Sequence, residues 1–259
     1  MAEAFYLPNA DGFEPTELTR GPWDPAAQHA GPPAALIGRA VELAGQEGMR
    51  TTRITFDILR PVPIAPLQLA TRVVRGGRRV ELVEASLRAG GNEVVRAVAL
   101  RLRRAELTLP DGLDGGAPPP PGPDHGEQRP FFSTGAQVGY HTAMEWRFLA
   151  GSFLDPGPAT VWLRMRHPLL PDEAPSPLTR VLIAADSGNG VSTVLDWRRF
   201  LFVNPDLTVH LHREPAGEWV CLDARTTIDA GGSGLAESTI HDRDGPVARG
   251  LQTLFVAER

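Results

Sequence analysis

Cysteine is scarce: Cys221 is the only one in the 259-residue chain. A single thiol excludes an intrachain disulfide and fits a reducing compartment. Lysine is absent, so arginine carries the positive charge, and the net charge is −5. That balance gives no electrostatic footprint for nucleic acid or an anionic membrane. No apolar run approaches the roughly 20 residues needed to span a bilayer. The first residues, MAEAFYLPNADGF, lack the basic segment and apolar core of a secretory signal, so the expected location is cytoplasmic. A Gly-x-Ser-x-Gly elbow is missing, which argues against an α/β-hydrolase. His210 and His212 lie two apart, with no third ligand in metal spacing, so neither a metal nor a cofactor is expected. Cys221 sits in the alternating run WVCLDA and reads as core.

What is present is the composition of a globular protein, 42% apolar and 22% charged. The length suits one large domain or two small ones. Composition breaks at Leu109–Pro130, LPDGLDGGAPPPPGPDHGEQRP. Its four consecutive prolines and several glycines predict an exposed linker.

The stretches on either side resemble each other. ITFDILRP at Ile54–Pro61 matches LTVHLHRE at Leu207–Glu214, 153 residues on. Leu82–Leu102 matches Leu235–Phe255 at the same distance of 153. An equal offset at two separate blocks marks a tandem duplication. In the first copy, PAALIGRAVEL (Pro33–Leu43) has helical spacing and a proline start. Strands are predicted at 52–59, 67–74, 79–89 and 94–103, with Gly76-Gly77 and Gly90-Gly91-Asn92 as turns. In the second copy, strands are predicted at 144–148, 161–167, 200–213, 219–228, 234–242 and 247–256, with Asp242–Gly245 as a hairpin turn. A helix lies between the second and third of these. The fold class is α+β. Each half is a curved antiparallel sheet around one helix, and pairing the halves covers an edge and an apolar face that one half leaves open.

That second helix belongs to Ser176–Ser192, SPLTRVLIAADSGNGVS. Its apolar run Val181–Ala185 meets one acid, Asp186, before breaking at Ser187-Gly188. A carboxylate there either caps the helix end or does chemistry.

The helix–meander unit, with FDILRPVPIAPLQL (Phe56–Leu69) and RVELVEASLRAGGNEVVRAVALRLR (Arg79–Arg103), resembles the double hot-dog acyl-CoA thioesterases related to bacterial acyl-CoA thioesterase II. The resemblance covers nearly the whole chain outside the linker. It implies an N-terminal hot-dog repeat at 1–108, a linker at 109–130 and a C-terminal repeat at 131–259 carrying the site. It also implies hydrolysis of a fatty acyl-CoA or related thioester by a water oriented by an Asp, a Thr or Ser, and a Gln. These fall on Asp186, Asn204 and Gln252. Asn204 departs from the family's hydroxyl residue, and Thr208 is the substitute farther along the strand. Many hot-dog proteins have a His-Gly-Gly turn where this chain has His29-Ala30-Gly31. Backbone N–H groups at that helix start would polarise the carbonyl, each worth about 3 kcal/mol, and the Gly31 region is expected to face Asp186.

The duplication offers an internal control. The counterpart of Gln252 in the first copy is Ala99. Matching the apolar runs of the helices places Asp186 near Gly38 or Arg39, where no carboxylate stands. Arg75, Arg78 and Arg79 are the candidates for the coenzyme phosphates, with solvated turn arginines as the alternative. Two other functions stay open. One is non-catalytic acyl-CoA binding. The other is a hot-dog hydratase or dehydratase, although Val203-Asn204-Pro205-Asp206 lacks the Gly-Asp and His of that fingerprint. The expected partners are an acyl-CoA and further copies of the chain in a homo-oligomer, with no nucleic acid and no membrane.

Overall fold

The structure is a computed structural model, and it describes residues 3–110 and 118–259. The 111–117 part of the predicted linker lies outside the described residues. In chain order the first half holds β1 (Tyr6–Asn9), β2 (Gly12–Pro15), α1 (Gly31–Ala44), β3 (Met49–Ile58), β4 (Leu67–Arg75), β5 (Val80–Ala89) and β6 (Asn92–Arg103). The second half holds α2 (Tyr140–Ala143), β7 (Met144–Ala150), β8 (Ala159–Met165), α3 (Pro177–Ala185), α4 (Gly188–Val191), β9 (Phe200–Val203), β10 (Asp206–Leu211), β11 (Val220–Asp229), β12 (Ser233–Asp242) and β13 (Gly245–Glu258).

The strands form one sheet in the order β1-β2-β4-β5-β6-β3-β10-β13-β12-β11-β8-β7, with β9 on β13. This order reads the same from both ends once each strand is replaced by its counterpart in the other half. The duplication holds at the level of register. Thr55 pairs with Val98, and 153 residues on Thr208 pairs with Leu251. Val83 pairs with Ala99, and Ala236 pairs with Gln252. The halves join through β3 and β10, where Thr208 pairs with Thr55.

Alternation along these strands sends one set of side chains inward. Ile54, Phe56, Leu207 and Val209 are buried, and they close over α1 and α3. The two helices pack on each other at the centre. Small residues permit this: a Cβ on Gly38 would meet Leu182 Cδ1 at 2.3 Å, and one on Gly31 would meet the Ile183 carbonyl oxygen at 2.3 Å. Pro32 and Pro33 open α1, where missing N–H groups cost no helix bond. Ser176 caps α3 by accepting from the Thr179 N–H at 3.1 Å. Its hydroxyl donates to Glu42 on α1 at 2.7 Å, tying the two helices together. Among the described residues, no helix is long and apolar enough to cross a membrane.

Three expectations change. Helix α1 begins at Gly31 rather than Pro33. The strand expected over 200–213 is two strands, β9 and β10, interrupted at Asn204-Pro205. Proline has no N–H to give a ladder, and the break turns Asn204 out of the sheet. The linker is not exposed throughout: Pro123 is buried, Trp162 Nε1 donates to the Pro121 carbonyl at 2.7 Å, and Glu127 bridges to Phe148.

Candidate active site

Asp186 is the C-cap of α3, so its backbone ends the helix, as the simpler expectation had it. Its carboxylate nevertheless sits at the wall of a cavity of about 490 Å³ between the two halves. Asn204 Nδ2 donates to Asp186 Oδ1 at 2.8 Å, and Gln252 Nε2 donates to the same oxygen at 3.1 Å. His29 Nδ1 stands 3.1 Å from Asp186 Oδ2. The N–H groups of Ala30 and Gly31 also point at this carboxylate, and the Gly31 N–H reaches His29 Nδ1 at 3.0 Å. The structure therefore brings Asp186, Asn204, Gln252, His29, Ala30 and Gly31 together from the two halves.

Their placements around the cavity differ from one another. Asp186, Asn204, His29 and Ala30 line the cavity, whereas Gln252 and Gly31 stand behind its wall. Gln252 is buried, and both ends of its amide are taken: Nε2 bonds Asp186 Oδ1 and its carbonyl oxygen, and Oε1 accepts from the Asn189 N–H at 2.9 Å. Gln252 therefore braces Asp186 and does not face the cavity. Ala30 and Gly31 likewise direct their N–H groups at a carboxylate the protein already holds. Thr208 does not reach the site: its hydroxyl donates to Thr55 across the β3–β10 seam at 3.1 Å. Arg75, Arg78 and Arg79 do not line the cavity; Arg20, Arg60 and Arg259 do.

Burial dominates the electrostatics. It pushes Asp186 up to about 7, against the lowering pull of Asn204, the Ala30 N–H, Gln252 and the Gly31 N–H. It pushes His29 down to about 3. At neutral pH the imidazole is therefore uncharged while the carboxyl exchanges its proton. The 3.1 Å gap holds one proton more comfortably than two opposite charges, because a buried ion pair costs more solvation than it regains.

Sequence reasoning missed the residues that shape the cavity. His29 stacks on Tyr140, with ring centroids 3.8 Å apart and planes 9° apart. Tyr140 donates to the Ile183 carbonyl at 2.7 Å and meets Ser187 Oγ at 2.9 Å. From Tyr140 the rings continue through Trp146, Phe153, Phe131 and Phe132 to Trp23, each neighbour within 5.9 Å. Phe131 and Phe132 directly follow the Pro/Gly-rich segment. Their adjacent aromatic character was the one signal available for them.

The comparisons agree with this architecture. A family model described as the acyl-CoA thioesterase C-terminal domain matches residues 115–256, more than half the chain, and the corresponding N-terminal domain model matches residues 19–102. No curated protein matches the sequence. Among solved structures, a Thermobifida fusca protein assigned as a thioesterase II superposes with a TM-score of 0.77 at 17% identity, over 97% of this chain and 95% of its own. Acyl-CoA thioesterase II TesB2 of Mycobacterium marinum gives 0.67 at 15% identity, over 90% of each chain. A hot-dog-fold protein of unknown function from Alicyclobacillus acidocaldarius gives 0.71 at 17%, over 95% of this chain and 92% of its own. The fold is a tandem pair of hot-dog units, each with its sheet around one helix. The chain belongs to the acyl-CoA thioesterase family and is a thioester hydrolase acting on acyl-CoA.

Proposed function

We propose that the chain hydrolyses a fatty acyl-CoA or related thioester with a water activated by Asp186. The observation that carries this reading is the buried Asp186 carboxylate at the cavity wall, held by Asn204 and Gln252 on one oxygen and facing His29 with the other. A general base is most effective when its pKa lies near the working pH, and burial brings Asp186 to about 7.

In this reading the water oxygen attacks the thioester carbon, and its proton passes to Asp186. The carbonyl π pair moves onto oxygen and forms a tetrahedral oxyanion. That pair returns, the carbon–sulfur bond breaks, and the coenzyme A thiolate leaves with the proton from Asp186. The products are the free acid and coenzyme A. Asn204 lines the cavity, and its amide oxygen is the acceptor for the second water proton. Gln252 acts through Asp186 and is a positioning residue. Neutral His29, fixed by its stack on Tyr140, has an Nδ1 that accepts from the Gly31 N–H, so it takes a hydrogen bond from Asp186 Oδ2 once Asp186 has gained the water proton. The aromatic wall takes the acyl group. The chain works as a homo-oligomer, a reading supported by Leu235, Leu251 and Phe255 exposed on the outer face of β12 and β13.

The test is release of free coenzyme A from a panel of acyl-CoAs. Turnover by the natural chain and its loss in Asp186→Asn supports the reading. Undiminished turnover in Asp186→Asn sinks it. Tight binding without thiol release, or hydration of an enoyl-CoA, sinks it as well.

A further inference from the structure

Hydrolysis through Asp186 leaves one requirement unmet. The oxyanion needs an N–H donor, and the backbone donors at Ala30 and Gly31 are directed at Asp186 and His29. Three of the polar side chains around the cavity are engaged too. Gln28 Nε2 donates to the Pro63 carbonyl at 2.7 Å, Trp146 Nε1 donates to the His141 carbonyl at 3.0 Å, and Asn204 Nδ2 donates to Asp186.

Asn189 differs. It lines the cavity and is 5% exposed, and its Oδ1 is buried with no hydrogen-bond partner. Among the described residues, no group accepts from its Nδ2. Buried amides are nearly always bonded, and each exception calls for a reason. Leaving the Oδ1 acceptor unpartnered costs about 1–3 kcal/mol, and the Nδ2 donor of the same carboxamide stays free for a ligand in the cavity. Its backbone is meanwhile held firmly. The Asn189 N–H donates to Gln252 Oε1 at 2.9 Å, and the other end of that amide holds Asp186. Gly188 makes the approach possible, since a Cβ there would meet Ser238 Oγ at 2.7 Å and Gln252 Oε1 at 3.0 Å. The base and the backbone that carries the carboxamide are thus fixed to the same glutamine.

We infer that Asn189 is the oxyanion donor, its carboxamide N–H polarising the thioester carbonyl while Asp186 takes the water proton. A donor placed in advance in a dry site needs no reorganisation when charge develops on the oxygen, which is where such groups act most strongly. The inference rests on Asp186 as the base.

The experiment compares Asn189→Leu and Asn189→Asp with the natural chain and with Asp186→Asn. Both Asn189 variants lack the amide donor. The expected result is a fall in kcat of about 100-fold, with KM and the affinity for a non-hydrolysable thioether analogue of acyl-CoA within about twofold. The melting temperature of Asn189→Leu stays level or rises, because an unpartnered polar group has been removed. In the Asp186→Asn background, bound acyl-CoA shows a thioester carbonyl infrared band that moves to higher frequency when Asn189→Leu is added. A structural role for Asn189 predicts instead that activity and melting temperature fall together with the band unmoved. A kcat within twofold of normal, or an unmoved band, overturns the inference. Full turnover by Asp186→Asn is a separate outcome that overturns the Asp186 reading beneath it.

Discussion

The hydroxyls of Thr55 and Thr208 meet at 3.1 Å across the β3–β10 seam, and the two residues are 153 apart, the spacing of the duplication itself. A residue paired with its own counterpart lies on the pseudo-twofold axis between the halves. The seam is therefore symmetric in backbone and, at this point, in side chain. Thr55→Val and Thr208→Val should each cost about 1 kcal/mol. The double variant should cost less than the two together, because the second change removes a group already without its partner. Urea denaturation of the four proteins checks this, and strict additivity refutes it.

Gly31→Ala should be far more damaging than an ordinary surface change. The added Cβ would lie 2.3 Å from a carbonyl oxygen of α3, and backbone cannot swing aside as a flexible side chain can. Separating α1 from α3 should cost about 1–3 kcal/mol and pull His29 away from Asp186. Thermal unfolding and turnover should fall together. Unchanged values in both would show that the helices have slack.

Asp186 makes a two-sided pH prediction. For catalysis, kcat/KM should rise with pH through a midpoint near 7 as the base loses its proton. His29, held down at about 3, should add no second ionisation in that range. For stability the sign is opposite. A carboxyl whose folded value is raised binds its proton more tightly when folded, so its contribution is complete below about pH 4 and lost as pH rises through 7. Asp186→Asn should gain stability over the natural chain as pH rises from 5 to 8, while losing activity at every pH. A constant difference in melting temperature across that range would contradict the assignment.

Asn204→Ala and Gln252→Ala each delete an N–H that favours the charged carboxylate. Both should move the kcat/KM midpoint above that of the natural chain, Asn204→Ala farther because its pull is the stronger. Each should also lower kcat, on the order of 10- to 100-fold, through a misplaced base. A loss of rate with an unmoved midpoint would show that the amides act elsewhere than on Asp186.

At the β12–β13 hairpin the charge argument runs the other way. Burial raises the Asp242 carboxyl, but the Arg213 guanidinium and the Ala216 and Asp244 N–H groups outweigh it and hold the value below the usual range. Stability from this group is present above its unfolded value near 4 and lost as pH falls through the folded one. Asp242→Asn should therefore cost roughly 2 kcal/mol at pH 7, a figure discounted for the partial exposure of Arg213. The cost should shrink toward pH 3. Chemical denaturation at both pH values is the check.

The parts of the protein readable in its sequence are those where pattern is local or repeated. Alternating side chains and paired glycines located the strands, because a strand's period of two is written residue by residue. The constant offset revealed the duplication, and it singled out Gln252 by the methyl its counterpart Ala99 carries. Asp186 stood out as the one acid after an apolar run. Contacts that close in space between distant segments were decided by the tertiary structure alone. His29 reaches Asp186, and Tyr140 reaches His29, because α1, α2 and α3 converge inside the sheet, and no spacing encodes that approach. Asn204 faces the site because Pro205 ends a strand whose pattern looked continuous. Asn189 keeps a buried Oδ1 without a partner, and which polar atoms end unpartnered is a property of the packed core that no spacing encodes.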